Sequence, residues 1–361
     1  MAIQSISITD FRNLHHVDIN PSRHLNLLVG KNGSGKTSFL EAIHFLGAAR
    51  SFRTHQSKQL INSEREQFIL FTRLKQGGAT YSVGVSRDKQ TTKIKIANRY
   101  ATSAAELASV LPIQVVNPDT HKLLEEGPRF RRRFIEWGVF HVKHGYLNVW
   151  QKCRHILKQR NAALKQHWPR KAMVEWDSAL VSVSTEISTI REDYVAQLLP
   201  YINQLITEVG DLPTLDFGLY QGWPNDVTLA EVLLSNWESD RKKGITQYGP
   251  HRADLRIRAN GLLAKDVVSR GQQKLITALL KLGQVRYLEH AHPGKTLVLL
   301  IDDLPAELDK EHRQALMKIA TDGNSQIFIT ATDPDLVELN SLSVNYCMFH
   351  VEHGNIVLAS G

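Results

Sequence analysis

Eight residues near the start of the chain, Gly30-Lys31-Asn32-Gly33-Ser34-Gly35-Lys36-Thr37, restrict its fold more than any other segment. The apolar run Leu25 to Val29 leads directly into them and reads as a short buried strand. After Thr37 the pattern turns helical, with Phe39, Ala42, Ile43 and Leu46 at spacings of three and four. Glycines at 30, 33 and 35 let consecutive backbone N–H groups curl around phosphate oxygens, an approach that side chains would block. Lys36 adds a positive charge for the outer phosphates, and Thr37 offers a hydroxyl to Mg²⁺. The helix also points its positive dipole end at the same place. A strand, this loop and a helix in that order predict a binding site for ATP with Mg²⁺ along the whole of 30–37.

A second element completes the expected site. In Leu297-Val298-Leu299-Leu300-Ile301-Asp302-Asp303 a buried strand delivers Asp302 to its polar end, where it can hold Mg²⁺ opposite Thr37. Asp303 then stands where a second carboxylate polarises an attacking water; alternatively, the two acids simply cap the next helix. Lys36, Asp302 and Asp303 are the expected catalytic set. Lys36 and Asp302 lie 266 residues apart, whereas a compact nucleotide kinase or small GTPase places these motifs much closer.

The intervening chain has a readable order. Alternating stretches at 68–74, 79–87 and 92–97 predict an antiparallel meander, so the first hundred residues are mostly β with one helix. From about Arg129 to Val209 the signal is helical. Leu180, Val183, Ile187, Ile190, Tyr194, Leu198, Tyr201 and Leu205 step by three or four, and Gly210 is a natural stop. Leu147, Trp150, Leu157 and Leu164 give a looser version, and Pro169 places a hairpin turn near 166–171. Strands are expected around 215–219, 254–258, 297–301 and 326–330, with helices from Ser269 to His290 and after Asp309. Strand alternating with helix implies a parallel sheet. The predicted fold is an α/β head with a mixed sheet and a β-meander, made from residues 1–125 and 213–361, with a helical hairpin lobe at 126–212 inserted between them.

Composition removes several classes. Apolar residues at 42% and charged residues at 22% suit an ordinary globular chain rather than a disordered one. The longest apolar run, Leu297 to Ile301, is far short of the roughly 20 residues of a membrane span. Residues 1–14 lack the continuous apolar segment of a secretory signal. Two cysteines, Cys153 and Cys347, are too few for a disulfide framework, and a cytoplasmic location is expected.

The net charge of +8 is concentrated in the predicted hairpin. Between Trp137 and Val174 there is no Asp or Glu, and eight Lys or Arg. Lys152, Arg154, Lys158, Arg160 and Lys165 are the residues expected to track DNA phosphates. The same residues also fit a solvated basic face or a protein contact. A second cluster, Arg50, Arg53, His55 and Lys58, fits DNA, nucleotide or another subunit equally well. Arg131-Arg132-Arg133 fit a bracing role between lobe and head.

Ser269-Arg270-Gly271-Gln272 opens the helix that precedes Asp302. Ser269 is a good helix cap, but Ser-x-Gly-Gln at this place resembles the signature motif of the ABC ATPase superfamily. That resemblance implies that Ser269, Arg270, Gly271 and Gln272 of one subunit complete the ATP site of another. Ala306-Glu307-Leu308-Asp309 is similar to the loop that crosses the dimer interface in the same superfamily, with Glu307 and Asp309 as its acids. The sensing His of most members is replaced by Thr332, and the usual glutamate after the magnesium aspartate by Asp303. Both departures predict a slow, switch-like ATPase.

Ile8-Thr9-Asp10-Phe11-Arg12-Asn13-Leu14 ahead of the loop resembles the start of SMC-type DNA-repair ATPases. Ala49-Arg50-Ser51-Phe52-Arg53-Thr54, Asn117-Pro118-Asp119, Arg131-Arg132-Arg133-Phe134 and Gly249-Pro250-His251-Arg252-Ala253-Asp254-Leu255 resemble the RecF family of bacterial recombination mediators, over essentially the whole chain. The resemblance implies an ATP-dependent homodimer, a weak DNA-stimulated ATPase, and binding to gapped or junction-containing duplex. It also implies action with RecO and RecR to promote RecA loading in gap repair and replication-fork recovery. Alternatives are the ATPase subunit of another SMC-like repair complex, a transporter ATPase subunit, a metabolic P-loop kinase, and a scaffold whose basic hairpin binds protein. Thr332 and the basic hairpin speak against the transporter, and the Ser269 motif against the kinase.

Overall fold

The computed structural model describes residues 2–76, 78–295, 297–303, 308–339 and 344–360. The chain forms two compact units. One comprises Met1–Thr120, Leu205–Gly210 and Lys274–Gly361, the other His121–Gln204 and Asp211–Gln273. The inserted unit therefore extends well beyond the expected helical lobe at 126–212. The segment 213–273, expected in the head, packs instead with the helices, because its strands form a separate small sheet.

The first unit opens with strands β1 (Ala2–Phe11), β2 (Leu14–Ile19), β3 (Leu25–Val29), β4 (Gln67–Gln76), β5 (Ala79–Asp88), β6 (Thr92–Ile96), β7 (Arg99–Tyr100) and β8 (Ile113–Val116). The insertion contributes β9 (Leu215–Tyr220), β10 (Asp254–Ala259) and β11 (Leu262–Leu263) to the second unit. The first unit then resumes with β12 (Val298–Ile301), β13 (Gln326–Ala331), β14 (Tyr346–Glu352) and β15 (Asn355–Ser360). An antiparallel sheet runs in the order β2-β1-β4-β5-β6-β7, in which β4, β5 and β6 are the expected meander and the two-residue β7 extends it. A second sheet runs β15-β14-β3-β13-β12-β8, with every pair parallel except β14–β15. The core strands β3, β12 and β13 are almost wholly buried, which is why they read as continuous apolar runs rather than alternating ones.

The helix Lys36–Ala48 packs against both sheets of this unit. Its Phe39, Ile43, Phe45 and Leu46 join Phe11, Phe68 and Phe328 in one apolar cluster. Phe11, Phe45 and Phe68 meet edge to face at centroid distances of 4.9 to 6.4 Å, a geometry favoured by the ring quadrupole. Helix and sheet thereby fix the turn between them.

In the second unit the helices Pro128–Val142, Tyr146–Lys165 and Val174–Val209 dominate, the last continuing into the first unit from Leu205. The hairpin turns at 166–171, as its Pro169 predicts. Two buried arginines tie this unit together. Arg160 donates to Asp177, Asp240 and Thr246, each at 2.8 Å. Arg191 donates to Glu136, to Tyr146 Oη at 3.2 Å and to the Pro250 carbonyl at 2.8 Å. Arg131 forks onto Asp254 at 2.7 and 3.0 Å, and Arg132 donates to the Ala253 carbonyl at 2.8 Å. The arginine run and the 249–255 motif are thus partners inside one unit.

Candidate phosphate site

Parallel strands β3, β12 and β13 end side by side, and ligands of open α/β sheets bind at such carboxyl edges. The loop 30–37 follows β3, Asp302 follows β12 and Thr332 follows β13. Gly30 sits so tightly that a Cβ there would lie 2.2 Å from the Val351 carbonyl oxygen. Gly33 and Gly35 take φ of 79° and 122°, conformations that an L side chain resists. Lys36 is only 4% exposed, and its ammonium donates to the Gly30 and Lys31 carbonyls at 2.6 and 3.1 Å. No carboxylate among the described residues pairs with it.

The expected junction of the two motifs is present. Thr37 Oγ1 donates to Asp302 Oδ1 at 3.0 Å, and Thr330 Oγ1 donates to the same oxygen at 2.9 Å. The Asp302 N–H donates to the Val116 carbonyl at 2.9 Å, which anchors the carboxylate from β8. Burial raises the Asp302 pKa above the ordinary carboxylate value, opposed by the two threonine hydrogen bonds. Asp303 adopts φ 48°, its N–H held by Thr330 Oγ1 at 2.9 Å, and its buried Oδ1 has no hydrogen-bond partner. Ser34 Oγ is likewise buried without a partner. A hydroxyl and two carboxylates beside a glycine loop, with unsatisfied polar atoms, suit a hydrated divalent cation and phosphate oxygens.

The site has support that the sequence pattern does not flag. The turn between β14 and β15 reaches the loop, where the Gly354 N–H donates to the Ser34 carbonyl at 2.8 Å. A Cβ at Gly354 would lie 2.0 Å from the Asn13 carbonyl oxygen. Asn13 in turn accepts from Ser38 Oγ at 2.8 Å. The His353-Gly354 pair, with positive φ at both positions, is the signal from which this hairpin could have been found. Glu41, fully buried in the loop helix, forks onto Arg12 and accepts from Ser51. Arg53 lies 3.9 Å from Glu41 and stabilises the charged form of Asp302.

Among the described residues, none of the other expected ones hydrogen-bonds to the loop 30–37. Ser269 caps its helix reciprocally: Gln272 N–H donates to Ser269 Oγ at 3.2 Å, and Ser269 N–H to Gln272 Oε1 at 3.0 Å. Ser269, Arg270 and Gly271 are exposed, and no atom crowds Gly271. Asp309 is exposed and caps the helix Lys310–Thr321, with its carboxylate held below the usual range by His312. Glu307 lies outside the described residues. Thr332 is exposed at the end of β13. Lys152, Arg154, Lys158 and Lys165 are exposed in the second unit, as expected. Arg160 is not: it is fully buried between Asp177 and Asp240, so it cannot contact a phosphate.

A family model described as "RecF/RecN/SMC N terminal domain" matches residues 2–356. The chain is 42% identical over 360 residues to the DNA replication and repair protein RecF of Pseudomonas aeruginosa strain LESB58, covering 99% of this chain and 97% of that one. It is 42% identical over 361 residues to its Pseudomonas fluorescens Pf-5 counterpart, covering 99% and 98%. The chain belongs to the RecF family. Its fold is similar to a solved structure of the recombination mediator RecF with ATP in the RecFOR pathway, with TM-score 0.86, 24% identity, and coverage of 99% and 98%. A more distant likeness is an Smc head bound to the C-winged helix domain of ScpA, with TM-score 0.60, 14% identity, and coverage of 100% and 98%. The fold is thus the ABC/SMC-type ATPase head, as expected from the sequence. No helix among the described residues is long and apolar enough to cross a membrane.

Proposed function

We propose that this member of the RecF family is an ATP-driven dimerisation switch on DNA. It recognises gapped or junction-containing duplex and, with RecO and RecR, promotes RecA loading in gap repair and fork recovery. The observation that carries the ATP reading is the 3.0 Å hydrogen bond joining Thr37 to Asp302 across the two motifs. The Pseudomonas relatives named for DNA replication and repair support the DNA reading.

In this reading the loop amides of 30–37 and the Lys36 ammonium hold the phosphates of ATP. Thr37 and Asp302 hold Mg²⁺, which when bound supplies positive charge to the phosphate oxygens. Asp303, with its free Oδ1, orients the attacking water for hydrolysis to ADP and phosphate. The segment 269–272 of a second copy, exposed at Ser269, Arg270 and Gly271, closes over the outer phosphate, and Asp309 lies at the interface. With Thr332 in place of a sensing His, turnover is slow and serves to reopen the dimer. Lys152, Arg154, Lys158 and Lys165 supply phosphate contacts for DNA.

The test is DNA binding by the whole chain with ATP, with ADP and without nucleotide, on duplex, single-stranded and gapped substrates. Gapped duplex is expected to bind best, and only with ATP. Equal affinity in all three nucleotide conditions sinks the switch.

A further inference from the structure

The hairpin turn of the second unit displays an aromatic ring that packing does not consume. Trp168 is 43% exposed, although burial is the common fate of so large an apolar surface. Its backbone is fixed. The N–H groups of Gln166, His167 and Trp168 donate to the carbonyls of Ala162, Leu164 and Ala163, each at 3.1 Å, and His167 takes φ 56°. The indole is tethered too, with Nε1 donating to Gln166 Oε1 at 2.9 Å. Beside it the turn is braced by Arg170, which lies over the Trp237 ring at 5.4 Å and donates to the Leu234 carbonyl at 3.4 Å. The exposed ring is therefore preorganised, with little rotamer freedom left to lose on binding.

Cations lead up to it. Arg154, Lys158 and Lys165 are exposed at spacings of four and seven along one side of the helix Tyr146–Lys165, a track of about 17 Å at 1.5 Å per residue. Arg154 and Lys158 line a shallow depression with Gln151 and His155. Among the described residues none of these cations has a carboxylate partner. Two acids of this unit, Asp177 and Asp240, are each bound by Arg160 at 2.8 Å, and Asp177 also lies 4.0 Å from Arg170.

A fixed aromatic face at the end of a cationic track matches the needs of unpaired nucleotides. Bases inside a duplex are already stacked on their neighbours and offer no face to an indole, whereas an unpaired base does. We propose that the hairpin tip is a binding site for single-stranded DNA. Trp168 stacks on an unpaired base, and Arg154, Lys158 and Lys165 follow the phosphates. This site deepens the DNA-binding reading above and rests on it. It gives that reading a way to distinguish a gap from intact duplex.

The experiment uses the whole chain with Mg-ATP, an oligothymidylate, and a duplex of the same length. Trp168→Ala is expected to weaken oligothymidylate binding roughly 5- to 150-fold, the loss of one stacked base, and to leave duplex binding within about twofold. Trp168→Phe keeps most of the single-strand affinity, and the intrinsic fluorescence quenched by oligothymidylate falls in both variants. Unchanged single-strand affinity in Trp168→Ala overturns the site, as does a Phe variant that falls as far as Ala. Parallel loss on both substrates assigns Trp168 to folding rather than to stacking. Loss of a protein partner with unchanged oligothymidylate binding gives the surface to protein instead. If the wild-type chain binds neither nucleic acid, the DNA-binding reading itself has failed, a result distinct from the others.

Discussion

Both units bury cations, but they treat them differently. In the second unit Arg160 faces two carboxylates and Arg191 faces a carboxylate, a phenol and a carbonyl. In the first unit Lys36 meets only carbonyls, and Asp302 only hydroxyls, while Asp303 keeps a buried oxygen without a partner. Internally compensated charge is architecture. Charge left for something else to compensate marks a ligand site, since an unpaired buried ion is costly.

Substitutions should separate the two kinds sharply. Arg160→Ala strands the buried Asp240, and Arg191→Ala strips the half-buried Glu136 and the buried Tyr146 of their partner; each is expected to cost about 3–5 kcal/mol, read by urea unfolding. Lys36→Ala should cost under about 2 kcal/mol without nucleotide and abolish the rise in melting temperature given by Mg-ATP. Similar unfolding penalties for all three would erase the distinction.

Titration offers a second route, through the buried His44 of the first unit and the half-buried His251 of the second. Burial pushes His44 and His251 from 6.5 down to about 4. The folded state therefore resists protonation, so stability is full above pH 6.5 and is lost as pH falls from there toward 4. Each contributes up to about 3 kcal/mol to that loss. His44→Gln and His251→Gln should flatten stability between pH 6.5 and 4; an unchanged slope contradicts their burial as neutral rings.

Asp302 titrates in the opposite sense. Its raised pKa means that ionisation disfavours the folded state as pH rises past the ordinary carboxylate value. Asp302→Asn should therefore melt slightly higher at neutral pH yet lose stabilisation by Mg-ATP. Reversing Lys152, Arg154 and Lys158 should flatten the salt dependence of DNA affinity by about 0.9 per lost phosphate contact. The smallest effect is Ser269→Ala, whose lost cap costs about 1 kcal/mol.

The legible parts of this molecule were those whose chemistry is local in sequence. A phosphate loop needs its glycines, lysine and threonine consecutively, so 30–37 declared itself, and the buried run before Asp302 did the same. Arg160 misled because helical cations look alike until their partners are known. Its position three residues after Leu157 and four before Leu164 places it on the buried face, with acids 17 and 80 residues away. Strand β8 is only four residues long, Ile113-Gln114-Val115-Val116, and its buried Gln114 breaks the apolar run by which the other core strands are read. The boundary at 273 has no local signal, because it falls inside the unbroken helix Arg270–Ala291.

The central claim is that ATP at 30–37 joins two copies through Ser269, and mass in solution tests it most directly. With Mg-ATP the wild-type chain should sediment as a dimer and with ADP as a monomer, while Ser269→Arg binds ATP and stays monomeric. A Ser269→Arg variant that dimerises like the wild type would contradict it.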